Sequence, residues 1–203
     1  MRSGAGYRAQ VGSQTLDLPL VPLSEDLTIA LLICVDLGVA FATTAGRELA
    51  AQLAEFEPDI VVSVATMGIP LAIEVSRSLG LDDYVILHKT PKIHLGESFA
   101  EPVRSITTDS PQKLRIDPAR IPAVRGKRVA VVDDIISTGA STLSALNLLR
   151  RVDAEPAVIG ALMTEGSGWR TTLGTDADKV HALGAMPVFR PDPSGGGLVE
   201  DWG

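Results

Sequence analysis

The stretch that decides the fold is Val129-Ala130-Val131-Val132-Asp133-Asp134-Ile135-Ile136-Ser137-Thr138-Gly139-Ala140-Ser141-Thr142. Its first four residues are apolar and mostly β-branched, which predicts a buried strand. Two acids follow at the carboxyl end of that strand, and a Ser/Thr/Gly turn then opens a helix at about Ala140. Parallel α/β sheets bind their ligands at this end of the strands. The stretch therefore predicts a fold and also the place of a site.

The alternation of strand and helix extends to both sides of this stretch. Upstream, residues 60–65 predict a buried strand, 70–79 a helix that stops at Gly80, and 84–88 a second strand. A further helix is predicted from Thr44, and downstream a strand over 157–163. Strands that alternate with helices predict an α/β protein with an open, doubly wound, mostly parallel sheet.

Three segments lack this alternation. Residues 1–26 are interrupted by prolines and predict irregular structure or short strands, and the apolar residues 27–37 predict a buried strand or a short helix. Residues 192–197 predict a flexible link. Residues 88–126 form a long polar insertion, which favours an active-site lid over a hairpin that only packs.

Composition limits the function classes. The chain has 203 residues, 45% apolar residues and a net charge of −7, which predicts one globular domain over 1–203. The negative charge argues against nucleic acid as a partner but allows a small phosphorylated ligand. The amino terminus lacks the apolar core of a signal peptide, and the longest apolar stretch, 27–42, contains Asp36 and is too short to span a bilayer. We therefore expect a cytoplasmic protein that does not contact membranes.

The single cysteine, Cys34, excludes an intramolecular disulfide and a cysteine-rich metal site. It lies in the apolar run 31–35, which favours an inert core residue over a catalytic thiol.

The turn that opens the helix can bind an anion. Backbone N–H groups and hydroxyls of Ser137, Thr138, Gly139, Ala140, Ser141 and Thr142 converge there, at the positive end of the helix dipole. The carboxylates of Asp133 and Asp134 lie beside the turn and can accept hydrogen bonds from sugar hydroxyls. One such acid alone would indicate an ordinary turn, but two adjacent carboxylates that end a buried strand are costly without a function. The combination predicts a site for a ribose 5-phosphate.

The whole stretch resembles the signature of the type I phosphoribosyltransferases, in which a strand, two acids, two apolar residues and a small residue precede Thr-Gly-Gly-Thr. Here Thr138-Gly139-Ala140-Ser141 takes the place of that last block. The resemblance implies binding of 5-phosphoribosyl-1-pyrophosphate (PRPP) and a nucleobase. It implies Mg²⁺ held through the substrate, with Asp133 or Asp134 as a ligand. It also implies a core over about 45–165, a hood from about 1–45 and 165–203, a flexible loop over about 89–115, and a homodimer.

Two further segments are similar to parts of this family. Residues 65–69 occupy the place of its pyrophosphate-binding loop, which implies that Thr66, Met67 and Gly68 bind the diphosphate. Residues 89–99 are similar to the mobile loop of adenine phosphoribosyltransferases, so that Lys89 and Lys92 would neutralise the leaving pyrophosphate. Without the resemblance to this family, Lys89 and Lys92 would be interpreted as solvated surface lysines. Lys92, Asp133 and Asp134 are the residues to which the resemblance gives catalytic roles.

The sequence indicates the acceptor base less clearly than it indicates the PRPP site. Position 137 carries a small residue, as in the adenine-type enzymes, and residues 186–189 resemble the ending of that branch. The glutamate of the adenine enzymes' loop is replaced by Thr107 or Thr108. Trp169 and Ile135 are candidates for contact with the base. The leading hypothesis is therefore transfer to an adenine-like purine in nucleotide salvage. One alternative is another acceptor, namely orotate, xanthine or a specialised heterocycle. The other is a regulator that senses PRPP without catalysis, which we expect to need a basic DNA-binding domain for which this acidic chain leaves no room.

Overall fold

A computed structural model of the chain describes residues 6–90, 99–103 and 112–203. Its strands and helices, in chain order, are β1 (Gly6–Val11), β2 (Gln14–Pro22), β3 (Thr28–Ala30), α1 (Gly38–Leu53), β4 (Ile60–Val64), α2 (Ile69–Leu79), β5 (Tyr84–Leu87), β6 (Phe99–Val103), β7 (Gln112–Ile116), α3 (Ile121–Val124), β8 (Arg128–Ile136), α4 (Ala140–Arg151), β9 (Glu155–Glu165), α5 (Gly168–Leu173), β10 (Val180–Met186), β11 (Val188–Pro191) and β12 (Leu198–Asp201).

Five parallel strands form the central sheet, in the order β10-β9-β8-β4-β5. The inner strands are apolar on both faces, and every residue of β4 is buried. Such two-sided burial requires helices on both faces of a parallel sheet. This arrangement confirms the predicted doubly wound α/β fold.

Two apolar layers cover the central sheet. On one face, Leu146 and Leu149 of α4 pack with Trp169 of α5. On the other face, Leu49 and Leu53 of α1 pack with the apolar residues of α2. The helices thereby hold the carboxyl ends of β4 and β8 side by side, which is where the predicted site lies.

The two chain termini build a second sheet of five antiparallel strands, in the order β1-β2-β3-β11-β12. The prediction of irregular structure or short strands for 1–26 missed the nine-residue strand β2, whose apolar positions alternate with polar ones in the pattern of a sheet with one buried face. For residues 27–37 the sequence predicted a buried strand or a short helix, and the structure has one of each: the strand β3 and a short 3₁₀ helix over Cys34–Asp36. Residues 192–197 connect β11 to β12.

Two predicted boundaries differ from the structure by at least about one helical turn or four residues. Helix α1 begins at Gly38 rather than Thr44, because Phe41 and Ala42 add a further buried turn. Strand β8 continues past Val132 through both acids to Ile136, because β9 runs alongside as far as Glu165 and provides backbone partners. Asp133 and Asp134 therefore lie within the end of the strand rather than after it.

Strands β6 and β7 pair as an antiparallel hairpin beside α4. The intervening residues 104–111, which contain Thr107 and Thr108, lie outside the described residues, as do 91–98 of the predicted loop. Within the described ranges, no helix has the length and apolar character needed to cross a membrane.

Candidate active site

The turn between β8 and α4 surrounds a small cavity at the amino end of the helix. The cavity has a volume of about 110 Å³ and is lined by residues 135–142. Gly139 has a φ of 76°, the left-handed conformation that glycine adopts without strain. The first N–H groups of an α-helix have no partners within the helix, so α4 directs donors and its positive dipole end into this cavity. The N–H of Ala140 donates weakly to Thr138 Oγ1, at 3.4 Å.

The paired acids lie at the opposite side of this turn. The backbone N–H of Asp134 donates to Oδ1 of Asp133 at 3.0 Å. Burial and the adjacent Asp134 raise the pKa of Asp133 well above its ordinary value, and the charge of Lys89 only partly offsets them. A cation would relieve this electrostatic strain, so the pair is suited to a positively charged or hydroxyl-rich ligand.

The turn after β4 approaches the same acids. The Ala65–Thr66 peptide bond is cis, and Gly68 precedes the first residue of α2. A Cβ on Gly68 would lie 2.9 Å from Asp133 Oδ1 and would also overlap Ser63 Oγ. Only glycine therefore allows the turn to come this close to the acid.

A second cavity, of about 150 Å³, unites the two turns. It is lined by Thr66, Met67, Lys89, Asp133, Asp134 and Ser141, together with Val64, Ala65 and Ile135. It adjoins the helix-end cavity, because Ile135 and Ser141 line both. The structure thus brings together the residues predicted for pyrophosphate, ribose and 5-phosphate, whereas Lys92 lies outside the described residues.

A sequence model of the phosphoribosyl transferase domain matches residues 42–178, which include both turns. The chain belongs to the phosphoribosyltransferase family.

Individual relatives of this family differ in what they do. The chain is 32% identical over 107 residues to the transcriptional regulator GfcR of Methanosarcina mazei, which covers 53% of this chain and 46% of the regulator. It is 25% identical over 146 residues to the xanthine phosphoribosyltransferase of Laribacter hongkongensis, covering 71% and 76%. The chain thus spans about half the length of the regulator and most of the enzyme.

The fold has a close counterpart among solved structures. The adenine phosphoribosyltransferase of Thermoanaerobacter pseudethanolicus superimposes with a TM-score of 0.65 over 83% of this chain and 95% of its own, at 19% identity. At that level of identity the likeness establishes the fold of the family in this chain.

The candidates for contact with the base lie in different surroundings. Trp169 is 3% exposed and packs in the core, and its indole N–H donates to the carbonyl of Gly166. Ile135 lines the two small cavities. Neither lines the larger cavity, of about 390 Å³, between the central and the terminal sheet.

That larger cavity contains a residue which the sequence interpretation did not select. Glu165, at the end of β9, lines it and is 7% exposed. Its Oε2 accepts a 2.6 Å hydrogen bond from Ser137 Oγ, and burial raises its pKa despite that bond. A signal was present, because Glu165 ends the apolar strand that follows the acid-bearing strand in the chain.

Cys34 is a buried residue whose thiol is near enough to Asp133 and Asp134 to be affected by their charges. Its exposure is 2%, and burial together with the charges of Asp134 and Asp133 raises the pKa of the thiol to about 11. Such a thiol is not a nucleophile near neutral pH. This agrees with the interpretation of Cys34 as inert core.

Proposed function

We propose that this chain transfers the 5-phosphoribosyl group of PRPP to a purine base, adenine-like, and releases pyrophosphate. The observation that carries the proposal is the pair of adjoining cavities, one at a helix amino end and one between two carboxylates and Lys89. A phosphorylated ribose with a diphosphate on C1 has charged groups at both ends and hydroxyls between them. The two cavities match that order.

The 5-phosphate would bind in the helix-end cavity. Backbone N–H groups at the start of α4 and the hydroxyls of Thr138, Ser141 and Thr142 surround it as donors, whereas the hydroxyl of Ser137 donates to Glu165. Charge-assisted hydrogen bonds of this kind are shorter and stronger than neutral ones. Residues 137–142 would therefore hold the ribose in a fixed orientation while its other end reacts.

The pyrophosphate would lie against the turn after β4. Gly68 lets the backbone of this turn approach Asp133 closely, and Thr66 and Met67 line the cavity beside Lys89. Lys89 would supply positive charge to the diphosphate. Lys92 stays a prediction of the same role.

The donor set also suits Mg²⁺. Two carboxylates face the second cavity, and the described residues include no group of three or more ligands that could hold a metal ion alone. Mg²⁺ is commonly held by one or two carboxylates, with water and substrate phosphates completing its shell. We therefore place it at Asp133 or Asp134, where it would neutralise charge on the departing pyrophosphate.

The chemical step exchanges one bond at C1 of the ribose for another. The bond to the pyrophosphate oxygen breaks and that oxygen keeps the electron pair, while a ring nitrogen of the base bonds to C1 and loses its proton. Positive charge builds on the ribose ring between these events, as in glycoside hydrolysis. The carboxylates of Asp133 and Asp134 would hold the ribose hydroxyls and stabilise that charge, so that catalysis is mainly electrostatic.

Two alternatives rest on specific relatives. The xanthine phosphoribosyltransferase match favours an oxidised purine as the acceptor. The regulator match favours a protein that binds PRPP without transferring it. The homodimer also stays a prediction.

Calorimetric titration with PRPP, with and without Mg²⁺, tests the proposal first, and we expect saturable binding that Mg²⁺ strengthens. Pyrophosphate release is then measured with adenine, hypoxanthine, guanine, xanthine and orotate. Binding without release for every base would favour the regulator. Absence of PRPP binding would refute the proposal.

A further inference from the structure

The larger cavity lies where a base on the bound ribose would reach. Its core wall contains Ser137 and Thr138, which also line the helix-end cavity, together with Glu165 at the end of β9. Its other wall comes from the terminal sheet and includes Leu27 and Val188. A ribose held by residues 137–142 therefore has this cavity directly beside it. The wall opposite the core combines the apolar Leu27 and Val188 with the ion pair of Arg190 and Asp201.

The two carboxylates of the cavity differ in their partners. Asp201, on β12, forms an ion pair with Arg190 of β11, so its charge is already matched. Within 6–90, 99–103 and 112–203, the one side chain that donates to Glu165 is the neutral hydroxyl of Ser137. Its second oxygen, Oε1, has no hydrogen bond to any residue that the structure describes. Glu165 is therefore the acid in this cavity that has capacity for a ligand.

Burial makes that capacity energetically significant. Glu165 as a whole is 7% exposed, but its Oε1 is not among the buried atoms that lack a partner, so this oxygen opens onto the cavity. Water can hydrate Oε1 while the cavity is open, but a base that fills the cavity removes this water and must then supply a donor itself. A ligand that brings an N–H group to Oε1 would satisfy it, whereas a ligand that brings a carbonyl oxygen would leave two acceptors facing each other.

Among the described residues, Ser137 is the one that donates to Glu165. The hydroxyl proton of Ser137 is engaged with Glu165, so its oxygen presents lone pairs to the cavity. The carbonyl of Leu27 already accepts from the N–H groups of Leu23 and Ser24. The oxygens of Ser137 and Glu165 therefore accept hydrogen bonds from a base on the core wall, and the Leu27 carbonyl on the opposite wall is already used.

We infer that Glu165, oriented by Ser137, determines which base the site takes, by accepting a hydrogen bond from an exocyclic amino group. The inference rests on the proposed function, since it concerns the base that would receive the phosphoribosyl group. It makes an amino-purine the substrate class and disfavours the corresponding oxo-purine. Glu165 contacts the base, and Ser137 acts through Glu165 as a positioning residue.

The competing residues are less well placed. Trp169 is buried beneath the cavity, with its N–H bonded to Gly166. Arg190 also lines the cavity, where its Nε donates to Asp201 and its Nη1 donates to the carbonyl of Asp26. These two contacts hold the guanidinium against the terminal sheet, on the side of the cavity away from the polar wall of Ser137 and Glu165. Its remaining N–H groups are the competing donors for an oxo-purine, and tighter binding of IMP than of AMP would show that they, rather than Glu165, select the base.

The test compares AMP with IMP, which differ in the 6-amino and 6-oxo groups, by calorimetry at pH 8. PRPP is titrated in parallel. We expect the unmodified protein to bind AMP at least about tenfold more tightly than IMP, because a site built to accept from an N–H rejects the analogue that lacks it. We expect Glu165→Gln, whose amide can also donate, to reduce that ratio to about threefold or less.

Three further variants separate base selection from general damage. Glu155→Gln makes the same change at the exposed opposite end of β9 and should leave the AMP-to-IMP ratio unchanged. Ser137→Ala should reduce the ratio and Ser137→Thr, which keeps the hydroxyl, should restore it. If Glu165→Gln fails to fold, the AMP-to-IMP affinity ratio of the unmodified protein and of the two Ser137 variants still decides whether Glu165 selects the base.

The outcomes separate this inference from the proposed function. If PRPP binds but AMP and IMP bind within about threefold of each other, or Glu165→Gln keeps the preference, the role of Glu165 is refuted and phosphoribosyl transfer stands. If PRPP does not bind, the proposed function fails and the inference fails with it.

Discussion

Gly68 and Asp133 are in contact at the centre of the candidate site, although 65 positions of sequence separate them. A Cβ at position 68 would lie 2.9 Å from Oδ1 and 3.4 Å from Cα of Asp133. The carboxylate is thus held against the backbone of the turn that follows β4. This contact sets the distance between the proposed pyrophosphate and ribose subsites.

Gly68→Ala should therefore damage the site and the fold together. The added methyl group has to displace Ser63 or Asp133, and overpacking of this kind costs about 1–3 kcal/mol of the free energy of unfolding. We expect PRPP affinity to fall at least about tenfold as Asp133 moves, since about 1.4 kcal/mol of lost binding energy is tenfold. Urea unfolding and calorimetry measure the two effects.

Gly6→Ala is the matched control, because a Cβ there meets its nearest neighbour, the carbonyl oxygen of Leu18, at an ordinary 3.4 Å. It should change stability by less than about 0.5 kcal/mol and leave PRPP binding unaltered. Equal effects of the two substitutions would contradict the special role of Gly68.

Asp134→Asn should abolish most turnover without unfolding the protein. The substitution removes a charged acceptor for a ribose hydroxyl, and hydrogen bonds to charged groups contribute about 1.5–3 kcal/mol, which predicts a loss of about 10- to 100-fold in kcat/KM. It also removes the charge that raises the pKa of Asp133, so the fold should not be destabilised. Steady-state pyrophosphate release and circular dichroism provide the measurements.

Asp82→Asn removes one exposed negative charge away from the cavities and should leave turnover intact. Full activity of Asp134→Asn with an intact spectrum would remove Asp134 from the catalytic machinery.

Gly139→Ala tests the helix-end cavity. The substitution has two free-energy costs. The backbone of residue 139 is left-handed, and the added Cβ would lie 3.2 Å from the Cα and the carbonyl oxygen of Trp169. The backbone cost alone is about 1–2 kcal/mol. We expect the turn to shift away from α5, and binding of ribose 5-phosphate to weaken at least about tenfold, because one charge-assisted hydrogen bond lost accounts for that factor.

Gly126→Ala separates the two costs. Gly126 has a φ of 69° but no neighbour near its Cβ, so this variant should lose comparable backbone energy and still bind ribose 5-phosphate normally. If both variants bind equally well, the turn at Gly139 is not the phosphate site.

The turn between β8 and α4 could be predicted because its signals are local. An apolar run, two acids and a Ser/Thr/Gly turn lie within fourteen consecutive residues, and each element forms from its own sequence. The same reasoning correctly placed β4, α2 and the stop at Gly80, whose φ is 73°.

The terminal sheet and Glu165 could not be placed in this way. Strand β3 has three residues and lies between β2 and β11, which come from opposite ends of the chain, so its pairing has no local signature. Glu165 reaches Ser137 only because β8 and β9 align Ile136 with Thr164. Strand register of this kind depends on packing of the whole sheet rather than on neighbouring residues.

Cys34 should be unreactive in the folded protein. With a thiol pKa of about 11, only about one molecule in a thousand carries the thiolate at pH 8, and the side chain is buried as well. Ellman's reagent should therefore label the native protein very slowly, whereas one thiol per chain should react at once in urea. Rapid labelling of the native state would refute the core position of Cys34.

An ion pair with a buried carboxylate and two partly exposed cations connects α4 to the segment before β10. Arg150 Nη2 donates to both carboxylate oxygens of Asp176 at 2.7 Å, and Lys179 Nζ lies 3.2 Å from Oδ1. Burial by itself would raise the pKa of Asp176, but the bonds from Arg150 and Lys179 outweigh it and lower the pKa. Asp176 therefore stabilises the folded state in its charged form.

Asp176→Asn should lower the free energy of unfolding by about 1–3 kcal/mol at pH 7, a value reduced by the partial exposure of Arg150. Because the folded pKa lies below the ordinary 3.8, this contribution is present above pH 3.8 and is lost as the pH falls through the lowered value. Urea unfolding of the unmodified protein and of Asp176→Asn at pH 7, 5, 4 and 3 should give free energies of unfolding that approach each other only below about pH 4. Asp17→Asn, in an exposed pair with Arg8, should cost less than about 0.5 kcal/mol at every pH. A difference that stays constant down to pH 3 would show that Asp176 acts through shape rather than charge.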